Sequence, residues 1–193
     1  MLSGHGTSSA LRHEDWFEDV DRALEFAERA LLAGVDDPDA GREIPLEATS
    51  LFSGLGPAAL EHVKAQLERR EFPAGQAVFR EGERGDQLYL LTRGTVSILA
   101  EIGTESQRLV TMEPGVFFGE MAMLDGAVRS ATAIADEQVV LYSLSAAGFA
   151  HICATDAMIG NLLLTNIARN ISGRLRSLTD VLRAESEVES LPD

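Results

Sequence analysis

Apolar residues recur three or four positions apart over residues 16–32, at Phe17, Val20, Leu24, Ala27 and Leu31, which is the stripe of an amphipathic helix. Asp15 followed by Glu18 fits a capping box at its start, and Gly34 suits a left-handed stop at its end. Over residues 35–47 acidic and turn-forming residues take over, Asp36-Asp37-Pro38-Asp39 among them, so a linker is expected and the helix before it stands apart from the main core. A second helical pattern, with Leu60, Val63 and Leu67 on one face, predicts a helix over 57–69. The period then changes. Between residues 71 and 144 short apolar and β-branched runs, such as Ala77-Val78-Phe79, Leu88-Tyr89-Leu90-Leu91 and Val96-Ser97-Ile98-Leu99, alternate with turns at Gly75, Gly82, Gly85, Gly94 and Gly115. Short strands at that spacing predict a sandwich or jelly-roll barrel. Helical periodicity returns over 146–151 and from 159 onward.

The predicted fold class is therefore α+β, a β-roll or jelly-roll barrel flanked by N-terminal and C-terminal helices. Its parts are an N-terminal helical extension (1–34), a linker (35–48), the barrel (49–155), a C-terminal helix (156–183) and an acidic tail (184–193). In the C-terminal helix Leu164, Ile171 and Leu178 recur every seventh residue, and Ala168, Leu175 and Leu182 interleave with them. That outlines a two-stranded coiled-coil seam and hence a homodimer. Over so few heptads the same stripe also suits a helix folded against its own barrel.

Composition narrows the function classes. With 45% hydrophobic and 24% charged residues over 193 positions, the chain reads as a soluble globular protein with one main domain and extensions. A formal charge of -15 without any block of Lys and Arg disfavours nucleic acid as a partner. No apolar run approaches the roughly 20 residues of a bilayer span, and the first residues lack a signal-peptide core. Cys153 stands alone, which excludes an intramolecular disulfide and fits a reducing, cytoplasmic setting. His5, His13, His62 and His151 are scattered, so no metal site, no cofactor and no metal-dependent cupin-type enzyme is expected.

The chemistry concentrates in residues 118–132, Phe-Gly-Glu-Met-Ala-Met-Leu-Asp-Gly-Ala-Val-Arg-Ser-Ala-Thr, read as a short helical turn and a loop leading into a strand. Gly119 lets a ligand approach the backbone, and the amides of Met121 and Ala122 begin the turn without partners inside it. Arg129 supplies a planar charged fork for two phosphate oxygens, with the Ser130 hydroxyl and amide beside it. A carboxylate such as Glu120 repels an anion unless it faces another part of the ligand. A sugar hydroxyl resolves the conflict, so the pair Glu120 and Arg129 selects a ligand carrying both hydroxyl and phosphate, as a ribose cyclic phosphate does. A structural ion pair between the two is the alternative.

This segment resembles the phosphate-binding cassette of cyclic-nucleotide-binding domains, as in protein kinase A regulatory subunits and bacterial catabolite activators. The likeness extends upstream through Phe72-Pro73-Ala74-Gly75, Phe79-Arg80-Glu81-Gly82-Glu83-Arg84-Gly85-Asp86, Leu88-Tyr89-Leu90 and Thr92-Arg93-Gly94-Thr95-Val96, about a hundred residues in all. It implies a non-catalytic allosteric sensor with Gly119, Glu120, Met121, Ala122, Arg129 and Ser130 at ligand contacts. Cyclic AMP is favoured over cyclic GMP, and Arg174 falls near the base-capping position of the last helix. Val128 stands where the family usually has proline and Met123 where leucine is common; neither change removes a ligand-binding atom. A degenerate module kept for structure or dimerisation is the competing reading.

Catabolite activators continue into a helix-turn-helix, which is not expected in the short stretch after this helix. Residues 16–28, Trp-Phe-Glu-Asp-Val-Asp-Arg-Ala-Leu-Glu-Phe-Ala-Glu, resemble the closing helix of STAS domains. In bacteria these lie between a sulphate-permease-type anion transporter, or sometimes a glutaminase, and a cyclic-nucleotide-binding tail. The resemblance implies the regulatory end of a larger protein.

Overall fold

The computed structural model describes residues 41–103 and 105–189; the helix expected over 16–32, its STAS-like resemblance and the first six residues of the linker, 35–40, lie outside them. Two 3-10 turns, Leu46–Ala48 and Ser50–Phe52, lead to helix α1, Pro57–Lys64. Eight strands follow: β1 Leu67–Phe72, β2 Ala77–Phe79, β3 Gln87–Arg93, β4 Val96–Ile102, β5 Glu105–Met112, β6 Phe117–Phe118, β7 Thr132–Ala135 and β8 Val139–Ser145. Helix α2, Glu120–Asp125, interrupts them between β6 and β7, and α3, Ala146–Thr155, and α4, Ala157–Glu189, close the chain. The strands form two antiparallel four-stranded sheets, in the orders β1-β8-β3-β6 and β2-β7-β4-β5. This is the α+β jelly-roll with flanking helices that the spacing of short runs predicts.

The continuous apolar run of β3 is explained by burial on both faces. Tyr89 and Leu91 point into the barrel with Phe79, Met112, Phe118 and Leu141, whereas Leu88 and Leu90 point the other way into a second core. That second core packs the sheet against the helices through Leu51, Phe52, Val63, Phe149, Ile152, Ile159, Leu163 and Ile167. The period of two along β3 thus serves two cores at once.

One expected boundary is corrected. The helix predicted over 57–69 ends at Lys64, and Leu67 begins β1, which pairs with β8 from Leu67↔Leu144 to Phe72↔Val139. Leu67 packs against the helix-side core from the strand, and an apolar residue at that spacing fits a helix face as well; the ladder to β8 decides. The end of the stretch read as linker is held on the barrel. The Ile44 amide donates to Thr92 O (2.8 Å), and Arg69 donates to the Glu43 carboxylate (2.9 Å), holding it below the usual carboxylate range.

The last helix resolves the choice left by its heptads in an unexpected way. Asp156 caps its first turn by accepting from the amides of Met158 and Ile159. The stripe that faces the barrel is Ile159, Leu163, Asn166 and Ile167, all buried, joined by the half-buried Ile171. Asn166 donates both amide hydrogens, to Leu51 O (2.9 Å) and Ser53 O (2.8 Å). Leu164, Ala168 and Leu175 of the predicted seam lie exposed, so the helix packs on its own barrel by one face and keeps these three outside it; the side chains of Leu178 and Leu182 lie outside the described residues. No helix among the described residues is long and apolar enough to cross a membrane.

Candidate functional site

Strand β6 delivers the chain to Gly119, whose φ of 79° lies in the left-handed region open to glycine. That sharp entry starts α2 immediately, placing Glu120 at its first position with Ala122 and Met123 buried behind it. A second left-handed glycine, Gly126, ends the helix. The following loop is then zipped to the turn after β2: the Arg129 amide donates to Glu83 O (2.8 Å), Arg129 O accepts from Gly82 (2.9 Å), and Val128 bridges Arg84. Val128, where proline is usual, is exposed and leaves this pairing intact.

The zipping points Arg129 inward, where only 4% of it is exposed. Its Nη1 donates to Gly119 O (2.7 Å) and its Nη2 to Gln87 O (2.8 Å), while its guanidinium lies 4.2 Å above the Phe79 ring and 5.7 Å from Tyr89. Burial lowers the guanidinium's pKa and raises that of the Tyr89 phenol, yet an arginine so placed still carries its charge. The fork is therefore fixed before any ligand arrives. Glu120 is buried as deeply, at 2% exposure. Its Oε1 accepts from Arg174 Nη1 of α4 (3.1 Å), and Arg174 Nη2 donates to Phe117 O. Among the described residues, Glu120 Oε2 and Arg129 Nε are buried without a hydrogen-bond partner.

All seven residues singled out from the sequence, Gly119, Glu120, Met121, Ala122, Arg129, Ser130 and Arg174, line one cavity of about 340 Å³, inside the range of roughly 300–1,000 Å³ typical of small-molecule sites. Its remaining wall is apolar and comes from Phe79, Ile98, Leu109, Val110, Met112, Phe118 and Ala131. A cavity with one buried cation, one buried carboxylate and an apolar flank can hold a ligand that is part anion, part polyol and part flat ring.

The family model of the cyclic nucleotide-binding domain matches residues 69–156. That segment belongs to the cyclic nucleotide-binding domain family. The family is a regulatory and generally non-catalytic one. The chain is similar to a cyclic nucleotide-gated potassium channel of Mesorhizobium japonicum, 38% identical over 115 residues that make up 60% of this chain and 31% of the channel. It is also similar to the cyclic AMP receptor protein of Thermus thermophilus, 30% identical over 65% of this chain and 59% of the receptor. The crystal structure of the Thermus thermophilus catabolite activator protein superposes with a TM-score of 0.64 at 31% identity, covering 72% of this chain and 63% of that one. The chain thus spans less than two thirds of each of these relatives.

Sequence reading missed two residues of this cyclic nucleotide-binding domain's site, Gly85 and Phe79. Gly85 was expected to turn the chain, but unlike Gly75, Gly82, Gly94 and Gly115 it has no left-handed backbone. Its role is space: a Cβ there would lie 2.6 Å from Arg129 Cζ, Arg129 Nε and Ala122 Cβ. Only the fold brings positions 85, 122 and 129 together, so no local pattern marks it. Phe79, which carries the Arg129 stack, was visible only as a strand residue for the same reason.

Proposed function

We propose that the cavity binds a purine nucleoside cyclic monophosphate, cyclic AMP in preference to cyclic GMP, and passes its occupancy to α4. In this reading Arg129 and Ser130 take the cyclic phosphate, with the backbone of Gly119, Met121 and Ala122 around it, and Glu120 takes the ribose hydroxyl. The observation that carries it is the pairing of two buried, opposite charges on one cavity, each with a polar atom left over. An unsatisfied buried polar atom costs about 1–3 kcal/mol, and a ligand with a hydroxyl donor and an anionic acceptor satisfies Glu120 Oε2 and Arg129 Nε together. The preference for cyclic AMP is supported by the similarity to a cyclic AMP receptor protein. The domain's host would be a larger bacterial protein at the cytoplasmic face of the membrane, such as an anion transporter, which the STAS-like residues 16–28 support. The exposed Leu164, Ala168 and Leu175 would pair two copies of α4.

Calorimetric titration with cyclic AMP and cyclic GMP tests the binding; no saturable heat from either at millimolar ligand would leave a structural module. Within that titration, Glu120→Gln should weaken cyclic AMP by about ten- to a hundredfold, the worth of a charged hydrogen bond of roughly 1.5–3 kcal/mol. The same substitution should change binding of the 2′-deoxy analogue far less. Parent protein that holds the 2′-deoxy form as tightly as the ribose form would remove the sugar role from Glu120.

Transmission is tested separately. If the docked state of α4 binds ligand about a hundredfold better than the undocked one, saturation favours docking by roughly 2.7 kcal/mol. Amide exchange over residues 162–178 should then slow with cyclic AMP. Equal exchange with and without saturating ligand would leave binding without a switch.

A further inference from the structure

Arg174 was expected near a base-capping position, yet both of its terminal nitrogens are already engaged, one with Glu120 Oε1 and the other with Phe117 O. We infer that Arg174 acts through Glu120 as a charge-balancing positioning residue, which makes the cavity acceptable to an anion; this rests on the proposal that the cavity binds a cyclic nucleotide. The argument is one of net charge in a buried place. Glu120 and Arg129 are 2% and 4% exposed, so water does little to screen either. Alone they sum to zero, and the single negative charge of a cyclic phosphate would leave the filled site with an unbalanced buried anion, which is strongly unfavourable. Arg174, whose side chain is 38% exposed, adds the second guanidinium. The charged side chains that line the cavity, Glu120, Arg129 and Arg174, then carry one positive charge in excess, which the ligand's phosphate cancels.

The geometry keeps this role compatible with sugar binding. Arg174 occupies Oε1 and leaves Oε2, the atom without a partner, facing no other described donor. A ligand hydroxyl can therefore bind the carboxylate without displacing Arg174. Because Arg174 is on α4 and Glu120 on α2, the neutralising charge is present only while α4 is docked. Ligand affinity and helix docking are coupled through this ion pair without any contact between Arg174 and the base.

A double-mutant cycle on the full chain tests the assignment, with cyclic AMP affinity measured by calorimetry in the parent, Arg174→Met, Glu120→Gln and the double variant. Methionine keeps the apolar stem and the helix propensity of position 174. Arg174→Met should weaken cyclic AMP at least tenfold when Glu120 is present and less than about twofold when position 120 is glutamine, since no negative charge then needs balancing. A base-capping contact would cost the same in both backgrounds, and that result overturns the role. A parent that binds no cyclic nucleotide would remove the proposed function and this role together, whereas equal losses in a parent that binds would remove this role alone. Matched thermal unfolding of all four proteins separates lost affinity from lost fold.

Discussion

Arg129→Ala should weaken cyclic AMP binding by about two orders of magnitude, because it removes a desolvated, charge-assisted phosphate contact of roughly 2–3 kcal/mol. The structure adds a second effect. Without the guanidinium, Gly119 O and Gln87 O lose their donors and Phe79 loses its stacked partner, so the melting temperature should also fall. Arg129→Lys separates the two effects, since an ammonium restores charge but cannot span both carbonyls and the phosphate as a fork does. Its affinity should lie between parent and alanine variant. Calorimetry with circular dichroism as a control on folding reads the result, and parent-like affinity in the alanine variant would place the phosphate elsewhere.

Gly85→Ala should be nearly as damaging to binding although it adds a single methyl group. The new carbon would sit 2.6 Å from Arg129 Cζ and Nε, and Arg129 cannot step aside without breaking its bonds to Gly119 O and Gln87 O. Overpacking of this kind costs about 1–3 kcal/mol of stability, and the displaced fork should lose cyclic AMP affinity at least tenfold. Gly75→Ala is the matched control: its φ is 77°, nothing lies within 4 Å of its Cβ position, and it does not line the cavity. That variant should lose about 1–2 kcal/mol to backbone strain and keep its affinity. Undiminished binding in Gly85→Ala would show that Arg129 has freedom the packing denies it.

What could be read from the chain beforehand follows a physical division. Local signals were sufficient for the strands, whose turns are set by glycines such as Gly75 and Gly94, and for the cassette, where Gly119, Glu120, Arg129 and Ser130 sit within twelve positions. Signals that depend on distant partners were not. Leu67 has the spacing of a helix residue and is a strand residue because Leu144 lies opposite. The face that α4 turns to the barrel was not legible because two apolar stripes run along the helix, Leu164 with Leu175 and Ile159 with Leu163 and Ile167, and only the barrel's shape selects the second for packing. Arg174 was placed near the site by resemblance, but its partner Glu120 is 54 positions away, and no periodicity relates the two. Gly85 was marked only as a turn glycine, since what matters there is the guanidinium that fills the space.

The bonds of Asn166 to Leu51 O and Ser53 O have a consequence for the order in which the protein is made. Leu51 and Phe52 belong to the same core as Ile159, Leu163 and Ile167, and the amide that closes their turn is encoded 115 positions after Leu51. At ribosomal rates of roughly 5–20 residues per second, that separation lasts about 6–23 s. Once Leu88, Leu90 and Phe117 have been made, the apolar floor beneath them stays uncovered until α4 follows, open to chaperones and to neighbouring chains. Growth from the first residue to the last therefore cannot complete this domain strand by strand; its final helix is also the seal on its first turn.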